Sequence, residues 1–246
     1  MLPGPVVAMT AKEGSELAVV YHKTNPVRKT QNLFSMLFQV DKKKTIVDTA
    51  LPLRPSKTLS WIGYSEIGVL HALDSSGLVL SLQRSFGFQW SPVLDTETHP
   101  SLRSRGATHW PISISRGRLI CVVMKAENLG RSFPLTSPKP VPTAVPLTVP
   151  LAMLDTDVGK VEALIVQDEM EFTNMLRDSD NSVTPQIRKK LAAIDTHIIK
   201  IFNAAVQKGR LVRALDLSMR LKLLRSCRLA VQVCLFARWQ RGRCNY

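Results

Sequence analysis

Residues 58–96 read TLSWIGYSEIGVLHALDSSGLVLSLQRSFGFQWSPVLDT, and residues 109–123 read HWPISISRGRLICVV. Three apolar runs, 59–64, 68–73 and 78–82, are separated by Ser65-Glu66 and by Asp74-Ser75-Ser76-Gly77. Short apolar runs broken by Gly, Asp and Ser turn chemistry are what a tight antiparallel meander requires. Working outward, the same pattern predicts strands at 17–21, 33–40, 45–51, 59–64, 68–73, 78–82, 88–94, 110–115, 118–125 and 145–151. Their spacing of roughly 8–12 residues marks a sandwich, a barrel or a propeller. No helical period intervenes, which excludes a parallel βαβ sheet. The Pro-rich stretch 133–150 carries Pro134, Pro138, Pro140, Pro142, Pro146 and Pro150. It is unfit for a central strand and reads as an extended connector with one edge strand near its end.

After Leu154 the period changes. Val161, Leu164, Ile165, Phe172, Met175 and Leu176 recur at three- and four-residue intervals, the mark of an amphipathic helix. Thr184 followed by Pro185 predicts an N-cap and a proline at the first helical position, where the missing N–H costs nothing. Ile187, Leu191, Ile194, Ile198, Phe202 and Ala205 hold one face from there, and Gly209 fits a helix stop. A third helix is expected with Val212, Leu215, Met219 and Leu223 on its apolar face. Arg210, Arg213, Arg220, Arg225 and Arg228 fall on the remaining arc. Three helices joined by short links make a small bundle or part of one.

The bulk numbers agree with two folded units. The chain has 246 residues, 45% hydrophobic and 21% charged, which are globular values. The charge is uneven. Residues 1–180 hold 19 Lys/Arg against 17 Asp/Glu, whereas residues 181–246 hold 14 Lys/Arg against only Asp195 and Asp216. Nearly all of the net charge of +14 therefore sits in the last quarter, where it would attract phosphate backbones or acidic peptides. A solvated cationic face is the plainer reading of the same charge. No run reaches the ~18 apolar residues of a membrane helix, and no secretory leader is visible after Met1. Cys121, Cys227, Cys234 and Cys244 stand far apart or at spacings without C-x-x-C, as buried or incidental thiols of a reducing compartment do.

Chemistry is sparse. His22, His71, His99, His109 and His197 are isolated, and no G-x-S-x-G, H-E-x-x-H or P-loop spacing occurs. Asp74-Ser75-Ser76-Gly77 is turn chemistry rather than a catalytic group. No metal constellation and no cofactor site is expected, and neither is enzymatic activity. Trp61, Trp90 and Trp110 stand at strand positions, where aromatics fill core space; a ligand platform is the second reading. Lys42-Lys43-Lys44 and Arg188-Lys189-Lys190 are too short to serve as nuclear import signals.

The series L-P-L-x-P-x-x-x-L-S-W-I-G-Y-S-E-x-G, L-D-S-x-G-L-V, W-S-P-V and H-W-P runs from Leu51 to Pro111. It resembles the second β-propeller of a eukaryotic replisome-adaptor family, that of the minichromosome-loss and chromosome-transmission-fidelity proteins and the WD-repeat and HMG-box DNA-binding proteins. Trp61, Gly63, Asp74, Ser75, Gly77, Trp90 and Trp110 carry the likeness. Residues 204–233, including KGRLVRALDLSMRL, resemble the early helices of the bundle that follows in that family. The fold expected is thus a partial β-propeller of antiparallel meander blades over 1–154, then the start of an α-helical bundle over 155–233. Residues 234–246 are expected to form an irregular, non-native tail, from read-through or a frame shift. The resemblance implies a non-enzymatic nuclear scaffold that trimerises through its propeller. It also implies docking of short helical motifs of the replicative helicase and DNA polymerase alpha, coupling unwinding to priming and supporting sister-chromatid cohesion. The alternative is a basic nucleic-acid-binding protein using its C-terminal helices, with Arg210, Arg213, Arg220, Arg225 and Arg228 as the partner or DNA surface. Only two or three blades are accounted for, with neither an amino-terminal WD-repeat propeller nor an HMG box, which reads as a truncated gene product.

Overall fold

A computed structural model of the chain describes residues 3–14, 16–27, 30–84, 87–99, 108–124, 142–150, 156–178 and 184–243. Its contacts divide the chain into two compact units, Met1–Pro150 and Leu151–Tyr246.

The first unit holds three antiparallel sheets. Strands β1 (Val6–Lys12), β2 (Glu16–His22), β3 (Leu33–Gln39) and β4 (Lys44–Ala50) form one meander. Strands β5 (Leu59–Tyr64), β6 (Leu70–Asp74), β7 (Leu78–Gln83) and β8 (Gln89–Asp95) form the second. Strands β9 (Thr108–Ser115), β10 (Arg118–Met124) and β11 (Pro142–Pro146) form a third, in the order β11-β10-β9. The first strand of each sheet touches the first strand of the next, β1 against β5 and β5 against β9. Up-and-down sheets whose leading strands meet in turn make a propeller-like array. Strand β1 is absent from the sequence reading because VVAMTA does not alternate in polarity; its side chains are half-buried or exposed. Strand β11 begins and ends on proline and pairs with β10 alone, the edge placement that missing N–H donors demand. Of the connector expected over 133–150, residues 133–141 lie outside the described residues.

The sheets adhere through apolar faces and a few polar ties. Ala18 and Leu37 of the first sheet pack with Leu70 and Leu82 of the second. Val20, Leu33 and Leu51 meet Ala72, Leu78 and Leu80. Trp90 packs against both clusters, and its indole N–H reaches the buried Ser35 Oγ at 3.3 Å. Glu16 receives both the Tyr64 hydroxyl at 2.8 Å and the Arg84 guanidinium. Between the second and third sheets, Glu66 accepts from Ser115 Oγ at 2.6 Å and from the Arg116 amide at 2.7 Å. Those bonds hold the Glu66 carboxyl below its usual range. His71 is fully enclosed, and burial pushes its imidazole down to about 4.

The second unit contains α1 (Asp157–Asp178), α2 (Pro185–Gln207), α3 (Leu211–Met219) and α4 (Leu224–Arg243). Thr184 caps α2 as expected, its side chain accepting from the Ile187 amide at 3.3 Å with Pro185 behind it. The core gathers Ile165, Ile194, Ile198, Ile201, Phe202, Ala205, Val206, Ala214, Leu217 and Ala230. Lys190 on α2 bridges Asp168 at 2.8 Å and Glu171 at 2.5 Å on α1.

Two expectations for this unit are corrected. The single third helix is two helices, broken between Met219 and Leu224. The break has a cause: buried Asp195 on α2 accepts from the Lys222 amide at 3.0 Å and the Leu223 amide at 2.9 Å. A carboxylate holding two otherwise orphaned amides starts a new helix there. The irregular tail is likewise corrected, since α4 runs on to Arg243. Nothing in 234–243 breaks a helix except Gly242 near its end, so a turn begun at Leu224 propagates although no amphipathic stripe announces it.

Candidate docking surface

The propeller motif residues are structural. Asp74 Oδ1 accepts from the Ser76 amide at 2.9 Å, the Ser76 hydroxyl at 2.6 Å and the Leu78 amide at 3.0 Å, closing the turn between β6 and β7. Ser75 ties this turn to the entry of β5, its hydroxyl accepting from the Thr58 amide at 3.0 Å. Gly77 has φ +88°, and a Cβ there would stand 1.9 Å from Thr96 Oγ1. Arg54 clasps the same turn, reaching Ser76 Oγ at 3.1 Å and the buried carboxylate of Asp95. The polar groups of D-S-S-G thus serve the turn, and the one carboxylate oxygen without a hydrogen bond, Asp74 Oδ2, is buried. Trp61 lies over Gly63, where a Cβ would come within 2.4 Å of the indole ring. Trp90 is half-buried, packed against the two core clusters between the sheets. Trp110 is 39% exposed, so the core expectation is corrected for it.

The helical unit presents a different surface. Gly209, at φ +70°, ends α2; the Arg210 amide turns back to the Ala205 carbonyl at 2.9 Å, and α3 departs at once. Ala214 and Leu217 anchor α3 on the core. The apolar face expected at Val212, Leu215, Met219 and Leu223 points outward at its first three residues, with Leu223 half-buried. Leu211, Val212, Leu215 and Met219 are 64%, 85%, 63% and 74% exposed, and Leu224 beyond the break is 69% exposed. The sequence pattern found a real apolar stripe, but the shorter Ala214–Leu217 row won the core because it lets α3 approach α2 closely. An open depression of about 510 Å³ lies at the start of α3, lined by Gly209, Arg210, Leu211, Val212, Arg213 and Asp216.

The five arginines separate into two groups. Arg213 pairs with Glu162 on α1 at 2.7 Å and with Asp216 at 2.6 Å. Arg220 pairs with Glu169 on α1 at 2.7 Å. These two fasten α3 to α1. Arg210, Arg225 and Arg228 are exposed and make no ion pair among the described residues. The surface is therefore an apolar ledge with cationic margins. Among the described residues no group of His, Cys, Asp or Glu could hold a metal ion. Among the described residues no helix is long and apolar enough to cross a membrane.

Sequence reasoning missed Asp195 and the Arg54–Asp95 clasp. The first was findable, since a lone acid between Ile194 and Ile198 on an apolar helix face needs a buried partner. The second, spanning 41 residues, leaves no local trace.

Residues 1–151 match the family described as the minichromosome loss protein, Mcl1, middle region. The WD repeat and HMG-box DNA-binding protein 1 of Xenopus laevis is 33% identical over 163 residues, covering 65% of this chain and 14% of that protein. The protein ENHANCER OF LHP1 1 of Arabidopsis thaliana is 25% identical over 241 residues, covering 94% of this chain and 24% of that protein. The minichromosome loss protein 1 of Schizosaccharomyces pombe is 27% identical over 195 residues, 76% of this chain and 24% of that protein. The chain thus spans a quarter or less of these relatives' lengths.

Proposed function

The chain belongs to the Mcl1 middle-region family, and on that premise we propose that it is a non-enzymatic nuclear adaptor of the DNA replication machinery. Its propeller-like unit is the rigid body. Its helical unit docks short amphipathic helices of the replicative helicase and of DNA polymerase alpha, and so links unwinding to priming and to sister-chromatid cohesion. The observation that carries this reading is the ledge of Leu211, Val212, Leu215, Met219 and Leu224. Contiguous large apolar side chains left in water mark an interaction site. An amphipathic helix laid on such a ledge buries its apolar face, while Arg210, Arg225 and Arg228 meet acidic residues on its flanks.

The nucleic-acid reading keeps some support from the cationic excess of residues 181–246. It is the weaker one, because Arg213 and Arg220 are committed to ion pairs inside the unit. One titration separates the two. Fluorescence anisotropy with labelled helical peptides from helicase and polymerase subunits, and with duplex DNA, is run on the full chain over a salt series. The adaptor reading expects peptide binding with a shallow salt slope, lost in Leu215→Glu and only weakened in Arg225→Gln. Tight DNA binding with a steep slope, indifferent to Leu215→Glu, would overturn it in favour of nucleic acid.

A further inference from the structure

The ledge is carried by two helices, and one buried carboxylate decides where the first stops. Leu211, Val212, Leu215 and Met219 stand on α3, whereas Leu224 and the free cations Arg225 and Arg228 stand on α4. Were α3 to run on without interruption, Leu224 would lie nine positions beyond Leu215, about half a turn round the helix from it. Leu224 and Arg228 would each fall about 20° from Leu217, seven and eleven positions earlier. Leu217 is the fully buried anchor of α3. An unbroken helix would thus turn both residues away from the ledge, which would end at Met219. The break reverses this. Leu224 is 69% exposed and Arg228 is exposed, while Ser226 and Ala230 take the inner side at 8% and 5%.

The hydrogen bonds at the break have one organiser. α3 closes with the Arg220 amide on the Leu217 carbonyl at 3.2 Å and the Leu221 amide on the Ser218 carbonyl at 3.3 Å. The next two amides, those of Lys222 and Leu223, would extend α3 by bonding to the Ser218 and Met219 carbonyls four residues back. Asp195 takes both instead, Oδ1 at 3.0 Å and Oδ2 at 2.9 Å. Asp195 is 1% exposed, so water does not compete for these bonds and the carboxylate is not itself part of the docking surface. α4 then starts afresh, the Ser226 and Cys227 amides bonding to the Leu223 carbonyl at 3.0 and 3.1 Å.

We propose that Asp195 is the positioning residue of the docking surface. By capturing the two amides that would continue α3, it ends that helix and brings Leu224, Arg225 and Arg228 onto the surface that Leu215 and Met219 begin. The inference rests on the adaptor reading above and adds the group that shapes its binding face.

The test measures anisotropy of a fluorescein-labelled helical peptide of DNA polymerase alpha with the full chain at low temperature. Asp195→Asn keeps the side-chain size but offers one acceptor oxygen to two amides. Lys222→Pro, at an exposed position, removes one of those amides yet cannot continue α3, so the break survives by another cause. Asp195→Asn, folded by circular dichroism, should weaken the peptide at least about tenfold. The Cα chemical shifts of residues 220–223 should move toward helical values in the same variant. Lys222→Pro alone should bind within about threefold of the unaltered chain, and added to Asp195→Asn it should restore binding to that range. Lost stability alone gives no such rescue, because proline removes a further hydrogen bond. Unchanged binding or unmoved shifts in Asp195→Asn overturn the proposal and leave the adaptor reading standing. So does a double variant without recovery. Loss of binding in folded Lys222→Pro overturns it as well, whether or not Asp195→Asn folds. An unaltered chain that binds no peptide overturns the adaptor reading itself and the proposal with it.

Discussion

The turn at Asp74 and the ledge on α3 treat their side chains in opposite ways. Around the turn, Asp74, Ser75 and Ser76 and the distant pair Arg54 and Asp95 bond within the fold, and the one unbonded oxygen, Asp74 Oδ2, is buried away from solvent. On α3, four large apolar residues stay in water, forgoing burial that elsewhere is worth about 1.5–3 kcal/mol for each such side chain. The contrast teaches where to look for function. A motif rich in Asp and Ser is not a site when its polar atoms are already bonded to each other. A helix face with no chemistry is one when folding leaves it uncovered.

The comparison can be broken or sharpened by substitution. The largest effect is expected away from both features, at the carboxylate that splits α3 from α4. Asp195→Ala should cost about 4 kcal/mol, because two charge-assisted bonds disappear and the helix start is left uncapped. Urea unfolding followed at 222 nm checks it, and a cost below about 1 kcal/mol would mean that water replaces the cap.

Next comes acid. His71 titrates near 6.5 when unfolded and near 4 when folded. Its folded value is depressed, so the stabilisation is complete above about pH 6.5 and is lost as pH falls toward 4. The difference amounts to about 3 kcal/mol. Denaturation of the unaltered chain and of His71→Leu at a series of pH values isolates this share; parallel curves would refute it.

Gly77→Ala, at φ +88° and against Thr96, should cost about 2 kcal/mol and loosen the second sheet. Thermal unfolding of the variant reads it directly. Smallest of all, Leu215→Glu should change stability by less than about 0.5 kcal/mol while removing peptide binding. A large loss of stability there would show that the ledge belongs to the core and would erase the contrast between the two regions.

The meander between Leu59 and Asp95 was legible because its signals are local: turn residues, alternation and spacing all lie within a few positions. The same holds for Thr184-Pro185 and for the stop at Gly209, where cap chemistry is written in adjacent residues. Strand β1 and the last turns of α4 were not legible, since the first lacks alternation and the second lacks a stripe. Trp110 was placed by residue type, which describes the usual fate of tryptophan and not its half-open position on this sheet.

For the candidate site, sequence determined that an apolar stripe and an arginine arc coexist on residues 210–228. Periodicity fixes which side chains share a face, because helix geometry is the same in every context. Which face is covered was decided only in three dimensions, where Ala214 and Leu217 fit against α2 and the larger residues did not. Likewise only the fold told Arg213 and Arg220, paired with α1, from Arg210, Arg225 and Arg228. The reason is the range of the interactions. Turns and caps act between neighbours in the chain, whereas burial and the ion pairs to α1 depend on residues that meet only after packing, 51 positions apart for Arg213–Glu162 and Arg220–Glu169.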